Sequence, residues 1–407
     1  MNFLFAWRYF KAKKSTNAIN VISWISILAI IVGTAALILV LSVFNGFEDL
    51  VKSLYSSFYP DIRISAAQGK QITLTQEQLN KIRGIRGVKA LSLTAEEKAF
   101  LQNGEAQSII YLKGVDDQYG AVTNVGEYVV AGEFNTGDAD NPLLVLGAGI
   151  ENAVGVQADR NLVPLTVYLP RKTDVSVSDP LQSINADTVN TSGVFVIQQE
   201  FDNKYVLTNL PFVRSMLEMP EDAYTAAEII LQPSADPDDI KERLQRDLGN
   251  NYSVLTRYEQ NRSLYAVMRT EKWVIYAILS LILVVAAFNM IGALTMLVLE
   301  KQKDISVLHA LGGSRGLIQR IFLSEGLLIA VIGGVVGMSL ALGIALAQIH
   351  YKLIPLQGGT FLIDYFPVKL HIGDFILVSV TILVIALIAS WIPARKAALQ
   401  QFQLREE

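Results

Sequence analysis

The sequence contains no cysteine and only three histidines among its 407 residues. Without cysteine the chain forms no disulfide bond and carries no lipid on a cysteine side chain. The histidines, His309, His350 and His371, lie in separate parts of the chain and lack the spacing of metal ligands. We therefore expect neither a zinc site nor a catalytic histidine.

The glycine-rich pattern G-x-x-x-x-G-K-[ST], whose backbone amides hold nucleotide phosphates, is also missing. No other grouping of residues along the chain indicates covalent chemistry. We expect a protein that is not an enzyme and that holds no cofactor of its own. Any energy for work must then come from a partner.

Charged residues make up 18% of the chain, and four long runs contain none. These uncharged runs are residues 15–47, 273–299, 326–351 and 375–394. About 20 mostly apolar residues are enough to span a bilayer. The pattern predicts a membrane α-helical protein with four transmembrane helices, at residues 15–47, 273–299, 317–350 and 373–393.

Basic residues indicate the orientation of these helices. They occur in the N-terminal segment 1–14, in the loop after the second span and in the C-terminal tail 394–407. Because cytoplasmic loops are rich in Lys and Arg, we predict both termini in the cytoplasm, with an interfacial helix over 1–14. The segments 48–270 and 351–372 are then outside.

The large outer segment, residues 48–270, has 30 acidic and 20 basic residues, which argues against nucleic acid as a partner. Strand–helix–strand patterns occur in 60–115 and again in 225–257. They predict one split α+β domain with a β-rich insert over 116–224. Within the insert, the polar segment 170–191 is either a bare flexible hairpin tip or a protein-binding loop.

A short amphipathic helix is predicted over residues 300–313, between the second and third spans. Ile305, Leu308 and Leu311 recur every third residue and give this helix one apolar face. Gly312 is expected to end it in the left-handed conformation. The pattern leaves two interpretations open, a helix lying on the lipid headgroups or a docking helix for a soluble partner.

The third and fourth spans carry two further signals. Small residues recur at four-residue intervals in the third span, at Gly333, Gly337, Ala341 and Ala345, so another helix can approach this face closely. That helix belongs either to the same bundle or to a second subunit. In the fourth span, Pro393 is expected to end the helix.

Three stretches resemble the lipoprotein-releasing ABC transporter permeases of the LolC/LolE type. Residues 23–48, SWISILAIIVGTAALILVLSVFNGFE, resemble the first span of that family. Residues 284–314, VVAAFNMIGALTMLVLEKQKDISVLHALGGS, are similar to its second span and coupling helix, and residues 393–398, PARKAA, to its C-terminal end. The order of spans and outer domain is also the same, so the resemblance covers nearly the whole chain.

The resemblance implies a MacB/FtsX-like type VII ABC permease architecture with a large α+β periplasmic domain. It implies a bacterial inner-membrane location and a function in extracting lipoproteins and passing them to a periplasmic chaperone. The implied partners are two copies of a cytosolic ABC ATPase that binds ATP, a second permease subunit, lipoprotein cargo, the chaperone and membrane lipid. The second subunit is either the same or a homologous chain.

The resemblance also implies roles for particular residues. Coupling to the ATPase is assigned to Lys303, Asp304, Ile305, Leu308, Leu311 and Gly312. The cavity for the lipoprotein acyl chains is assigned to Val40, Val43, Phe44 and Phe47. The hook that captures the chaperone is assigned to Pro170, Val175, Val177 and Pro180.

Two other functions remain open for a chain of this pattern. One is a MacB-like permease for efflux or export, although such permeases carry their own ATPase or a different outer insert. The other is an FtsX-like regulator, which activates a periplasmic cell-wall hydrolase without transport and has a smaller outer domain.

Overall fold

The computed structural model describes residues 17–158, 164–170, 184–356, 363 and 365–399. Within these, the chain forms two compact units. The helical unit takes the described residues of Met1–Leu50, Ala266–Gln357 and Ile363–Glu407, and the sheet unit takes those of Val51–Tyr265. The predicted interfacial helix over 1–14 and the end of the tail lie outside the described residues.

The described residues contain twelve α-helices. In chain order they are α1 (Asn17–Phe58), α2 (Gln76–Arg83), α3 (Tyr119–Val122), α4 (Ala148–Val154), α5 (Gln199–Asp202), α6 (Leu210–Met216), α7 (Pro237–Leu248), α8 (Arg257–Gln260), α9 (Arg262–Glu300), α10 (Gln302–Ala310), α11 (Arg315–Tyr351) and α12 (Ile372–Leu399). A single 3₁₀ turn, Val125–Tyr128, lies between α3 and α4.

Four of these helices, α1, α9, α11 and α12, are long and apolar enough to cross a membrane. This confirms the prediction of four membrane helices. Helix α1 continues well past the first uncharged run, and its residues from Val51 onward belong to the sheet unit. Helix α9 likewise begins among residues of the sheet unit.

The small residues of α11 pack against α1 within the same chain. A Cβ atom added at Gly337 would lie 2.6 Å from the Ile31 carbonyl oxygen, and one at Gly333 would lie 2.8 Å from Ile30 Cγ2. Ala341 and Ala345 on the same face are buried. The small-residue face therefore serves packing within the bundle, the first of the two alternatives that the sequence left open.

The prediction that Pro393 ends the last helix is wrong, because α12 continues to Leu399. Beyond the proline, Ala394 and Ala397 pack into an apolar cluster with residues of α9, α10 and α11. Proline removes one backbone hydrogen bond, and in membrane helices the packing of neighbouring helices compensates for this loss.

Twelve β-strands lie in the sheet unit. They are β1 (Ile62–Ala66), β2 (Ile72–Thr73), β3 (Val88–Asn103), β4 (Ala106–Val115), β5 (Val129–Gly132), β6 (Leu143–Gly147), β7 (Leu165–Pro170), β8 (Ile184–Phe195), β9 (Tyr205–Asn209), β10 (Ala223–Tyr224), β11 (Ala226–Leu231) and β12 (Tyr252–Thr256). Ten of them form one sheet, and β2 pairs separately with β10.

The main sheet runs in the order β12-β1-β11-β3-β4-β9-β6-β8-β5, and β7 pairs with both β3 and β8. Strands β3, β4, β9, β6, β8 and β7 thus pair in a closed cycle, which protects their edges. The strands of the predicted insert, 116–224, extend the same sheet through the parallel pairing of β9 with β4. The insert is therefore continuous with the split α+β domain.

The segment 170–191 differs from the sequence-based expectation of a long loop. Strand β8 starts at Ile184 and pairs with β7 from Pro170↔Ile184 to Leu165↔Val189. Val189 and Thr191 are buried, so pairing and burial outweigh the polar character of this stretch. Only residues 171–183 lie between the paired ends, and they are outside the described residues.

Local signals in the sequence mark the ends of two helices of the sheet unit. Thr75 and Gln78 form a capping box at the start of α2. Asp236 caps α7, which has Pro237 at its first position, and Gly249 beyond its end has φ +81°. These two helices cover one side of the sheet through the buried residues Leu79, Ile82, Ile240 and Leu244.

The core of the sheet unit includes a buried ion pair beneath the end of α1. Lys113 Nζ donates hydrogen bonds to both Glu228 oxygens, at 2.8 and 3.1 Å. The ammonium also lies 5.0 Å from the ring centroid of Phe58 and 4.9 Å from that of Tyr119. Burial alone would lower the pKa of Lys113, but the Glu228 carboxylate, together with Tyr119 and Glu96, more than offsets this and raises it.

Candidate functional sites

Helix α10, the predicted coupling helix, follows α9 after a single residue. Lys301 Nζ lies 3.3 Å from Asp304 Oδ2 at the start of α10. At its end the Gly312 amide donates to the His309 carbonyl at 3.0 Å, and Gly312 has φ +85°. The predicted left-handed glycine is confirmed.

The structure corrects the predicted contact face of α10. Ile305 is buried within its own chain, in an apolar cluster formed by residues of α9, α11 and α12: Leu297, Val298, Ile318, Phe322, Ala394 and Ala397. This residue holds α10 against the bundle and has no surface left for a partner. Of the three apolar residues that recur at every third position, Ile305 therefore faces the bundle and Leu308 is half-buried.

Other residues of α10 and its C-terminal turn are accessible. Leu311 is 80% exposed, and Val307, one turn earlier, is also exposed. Lys303 and Gly312 are exposed, whereas Asp304 and Leu308 are half-buried. Val307 and Leu311 lie four residues apart and therefore share one face. Leu311 belongs to the apolar repeat that the sequence analysis identified, whereas Val307 was not predicted as a contact residue.

The residues assigned to an acyl-chain cavity all lie in α1, and their side chains are exposed to different extents. Val40 is exposed, and Val43 and Phe44 are half-buried. Phe47 packs edge-on against Phe366, with ring centroids 5.8 Å apart. One side of Phe47 is thus covered by the segment that precedes α12.

That segment lies directly on α1 near Gly46. A Cβ atom added at Gly46 would lie 2.3 Å from the Pro367 carbonyl oxygen, so only glycine permits this approach. Beside it, the Lys369 amide donates to the Ser42 carbonyl at 2.9 Å. The glycine in the sequence NGFE therefore has a packing role.

Asn45, which precedes this glycine, joins three helices. Its Nδ2 donates to Asp374 Oδ2 of α12 at 2.6 Å, and its Oδ1 accepts from Lys272 Nζ of α9 at 2.7 Å. Lys272 Nζ also lies 3.5 Å from Asp374 Oδ1. We call Asn45, Lys272 and Asp374 the Asn45 cluster, and the part of the bundle that holds them the Asn45 end.

Sequence reasoning missed the Asn45 cluster, although a signal was present. Lys272 and Asp374 each stand immediately before an uncharged run, and Asn45 stands near the end of another. A polar residue at each of three span boundaries indicates that the three meet at one depth. The order of the helices around the bundle could not be predicted from the sequence.

The predicted hook is only partly within the described residues. Pro170, at the end of β7, is exposed and pairs with Ile184 of β8. Val175, Val177 and Pro180 lie outside the described residues. The structure thus describes the base of a β7–β8 hairpin.

An exposed apolar patch lies next to this hairpin base. Phe100 of β3 is paired directly with Ile109 of β4 and with Tyr168 of β7. The side chains of Phe100 and Ile109 are both more than half exposed. Two large apolar side chains exposed side by side on a sheet are unusual. This patch was not predicted from the sequence.

Comparison with known proteins identifies relatives along the whole chain. The lipoprotein-releasing system transmembrane protein LolE of Haemophilus influenzae is 27% identical, over 97% of this chain and 96% of that protein. The protein named LolC of the same system in Neisseria meningitidis is 26% identical, over 97% of each chain.

Two family models match separate parts of the chain. The MacB-like periplasmic core domain matches residues 23–247, more than half of the sequence, and the FtsX-like permease C-terminal domain matches residues 276–401. The chain belongs to the LolC/LolE-type permeases. As a LolC/LolE-type permease it is a multi-pass membrane protein and a component of an ABC transporter, as the resemblance implied.

Among solved structures, the periplasmic region of MacB from Actinobacillus actinomycetemcomitans matches 53% of this chain and 98% of its own length, with a TM-score of 0.36 and 11% identity. The LolC/LolE-type permease described here combines four membrane helices with an α+β unit. This is the type VII ABC permease architecture expected from the sequence.

Proposed function

We propose that this chain is a membrane subunit of an ATP-driven complex that extracts lipoproteins from the inner membrane and passes them to a periplasmic chaperone. The observation that carries the proposal is the match to lipoprotein-releasing LolC and LolE proteins. Each match covers nearly the full length of this chain and of the matched protein. Each acyl CH₂ buried in a bilayer contributes about 0.8 kcal/mol, so extraction needs an external source of energy.

The energy would come from a cytosolic ABC ATPase, present in two copies and binding ATP, that docks on α10. In support, Leu311 and Val307 form an exposed apolar face at a charged turn between two membrane helices. Because Ile305 packs against residues of α9, α11 and α12, a displacement of α10 would be passed on to these helices. This favours docking over passive contact with lipid headgroups.

Docking of a cytosolic ATPase on α10 requires an orientation with both termini in the cytoplasm. The basic residues around α10 and in the terminal segments support this orientation. The sheet unit is then periplasmic, and the Asn45 end faces the periplasmic side. A second permease subunit, the same chain or a homologous one, would complete the complex.

For cargo, we propose that the acyl chains contact α1 along Val40, Val43 and Phe44. These residues are apolar and are not fully buried within the chain. Phe47 belongs to the packing against Phe366 and is less available. For the chaperone, the proposed hook follows the paired ends of β7 and β8, where the neighbouring Phe100 and Ile109 offer exposed apolar surface.

The function is tested by depleting the protein in its host and measuring release of a labelled lipoprotein from spheroplasts to added chaperone. We expect release to stop on depletion and to return with the wild-type gene. Normal release without the protein would contradict the proposal. An accumulation of an efflux substrate, or a defect in cell-wall cleavage with normal release, would instead favour a MacB-like or an FtsX-like function.

The role of α10 is tested with Leu311→Asp, which places a charge on the exposed face. Central apolar residues of an interface typically contribute about 2 kcal/mol or more, so the ATPase should no longer co-purify. Lys303→Ala is the matched control, because an exposed charge at the rim contributes much less. If Leu311→Asp retains the ATPase at the wild-type ratio, α10 is not the docking helix.

A further inference from the structure

The Asn45 cluster connects the two helices through which the chain passes between its two units. Helix α1 carries Asn45 and continues into residues of the sheet unit from Val51 onward. Helix α9 carries Lys272, starts within the sheet unit and leads directly to α10. The third member, Asp374, lies in the first turn of α12.

Every polar group of Asn45 has a partner in this cluster. Its amide nitrogen donates to Asp374 and lies 3.4 Å from the Lys369 carbonyl oxygen, while its amide oxygen accepts from Lys272. Aspartate at this position would repel Asp374, and leucine would leave both Lys272 and Asp374 without their shared partner. An amide, with a donor and an acceptor on one side chain, suits the position.

Contacts of this kind restrict how the helices slide. One residue of rise along a helix is about 1.5 Å, whereas a hydrogen bond weakens beyond a donor–acceptor distance of about 3.2 Å. A shift of α1 against α9 by one residue would therefore break the contacts of Asn45. The apolar surfaces elsewhere in the bundle impose no such directional restriction.

We propose that Asn45, Lys272 and Asp374 are positioning residues that keep α1, α9 and α12 in one fixed register throughout the transport cycle. A displacement of α10 then moves α9 and α1 together, and the energy of ATP hydrolysis reaches both helices that lead to the sheet unit. The proposal rests on the proposed function and adds to it the residues that maintain coupling.

The first test compares Asn45→Asp, Lys272→Met and Asp374→Asn in the complete complex, reconstituted in proteoliposomes with its ATPase. The measured quantity is lipoprotein released per ATP hydrolysed. We expect each variant to assemble and hydrolyse ATP, with the ratio lowered about fivefold or more, the lower end of typical coupling effects. Lys369→Ala is the matched control, because its side chain pairs with Asp49 at the same end but outside the cluster.

If all three variants release as much lipoprotein per ATP hydrolysed as the wild type does, the proposal is wrong. The exchange Lys272→Asp with Asp374→Lys separates coupling from folding, since it keeps one charge of each sign beside Asn45. We expect it to recover part of the lost ratio. A ratio no better than that of the single variants would show that the charge pair does not set the register.

The second test uses the absence of cysteine from the natural chain. Asn45→Cys combined with Asp374→Cys places the only two thiols on α1 and α12, whose native side chains are in contact. After oxidation in membranes, a maleimide carrying polyethylene glycol should no longer label the chain. Continued labelling by two adducts would show that the helices are apart in the membrane, against the proposal. This measurement does not depend on transport.

The same double variant distinguishes a constant connection from a gate. If the register is constant, the oxidised protein releases lipoprotein and reduction lowers the ratio. If the cluster must open in each cycle, the oxidised protein is inactive and reduction restores release, which would overturn the proposal. Failure of the wild-type complex to release lipoprotein would instead count against the proposed function, while the labelling result would still report the contact.

Discussion

The two units of the chain each contain an ion pair that joins distant parts of the sequence, and the pairs differ in burial. In the sheet unit, the side chains of Lys113 and Glu228 are 2% and 0% exposed and lie under aromatic rings. In the helical unit, those of Lys272 and Asp374 are 30% and 9% exposed and share the amide of Asn45.

This difference indicates different roles for the two pairs. A fully buried pair is costly to desolvate, and apolar residues of similar volume often replace it without loss of stability. A pair at the end of a helix bundle keeps access to water, so its directional hydrogen bonds matter more than its burial. We therefore expect the first pair to matter for folding and the second for the register of helices.

The largest effect is expected for Lys113→Met. The substitution removes the donor of both hydrogen bonds to Glu228 and leaves a buried carboxylate, at a cost of about 3–5 kcal/mol. Hydrogen–deuterium exchange of the full-length protein should show lower protection in β4 and β11, with the helical unit unchanged. Unchanged protection of these strands would show that another group compensates Glu228.

The double substitution Lys113→Met with Glu228→Leu sharpens this result. It removes both charges together, so most of the lost protection should return. If the double variant is as damaged as the single one, the pair specifies the structure by its charges and not only by its volume.

A smaller effect is expected at Asp202, a buried carboxylate held by the backbone amides of Ile197 and Gln198 instead of by a cation. Burial raises the pKa of Asp202 to about 6 from its ordinary value of 3.8. Its contribution to stability is therefore complete below about pH 4 and is lost as the pH rises to about 6, by at most about 3 kcal/mol.

The Asp202→Asn variant tests this pH dependence, because asparagine still offers an oxygen to both amides and does not titrate. The Tm of the variant relative to the wild type should rise between pH 4 and pH 7. A difference in Tm that is constant over this range would mean that Asp202 does not titrate there.

For the helical unit, Asp374→Asn should lower stability by about 2 kcal/mol, since hydrogen bonds to charged groups contribute about 1.5–3 kcal/mol. The ammonium of Lys272 keeps partial access to water and the contact to Asn45, so the loss is below that expected for Lys113→Met. The measurement is the Tm of the full-length protein in detergent. A loss equal to that of Lys113→Met would remove the distinction between the two pairs.

The smallest effect is expected for the exposed pair of Lys369 and Asp49, whose side chains are 45% and 57% exposed. Exposed ion pairs contribute about 0–1 kcal/mol and are screened by salt. Lys369→Ala should change Tm little, and the small change should vanish at high salt. A decrease in Tm as large as that of Asp374→Asn would mean that the contribution of these ion pairs does not depend on their exposure.

Much of the architecture could be predicted because its signals are local. Runs without charge predicted the membrane helices, and Gly312 predicted the end of α10. Ile305 shows the limit of such signals. A three-residue repeat predicts an apolar face but does not say which of its residues meet the same chain. Here Ile305 does, whereas Leu311 is exposed.

Non-local pairing could not be predicted for the same reason. The stretch that includes Asp187 and Asn190 is polar and resembles a loop, yet it forms part of β8 because β7 and β6 lie beside it. The Asn45 cluster joins residues from three separate spans, and only the arrangement of the helices brings them together. In both cases the deciding partner is more than a dozen residues away in the chain.

The position of β1 in the sheet has a consequence for biosynthesis. This strand, Ile62–Ala66, lies between β11 and β12, which come from residues 226–231 and 252–256. During synthesis, β1 is made long before either neighbour. This edge of the sheet therefore closes only after the chain has been made as far as β12, and pairing over such separations is slow. Until then β1 exposes unpaired backbone groups, which makes this interval the period in which the nascent chain is most vulnerable to aggregation and to proteases.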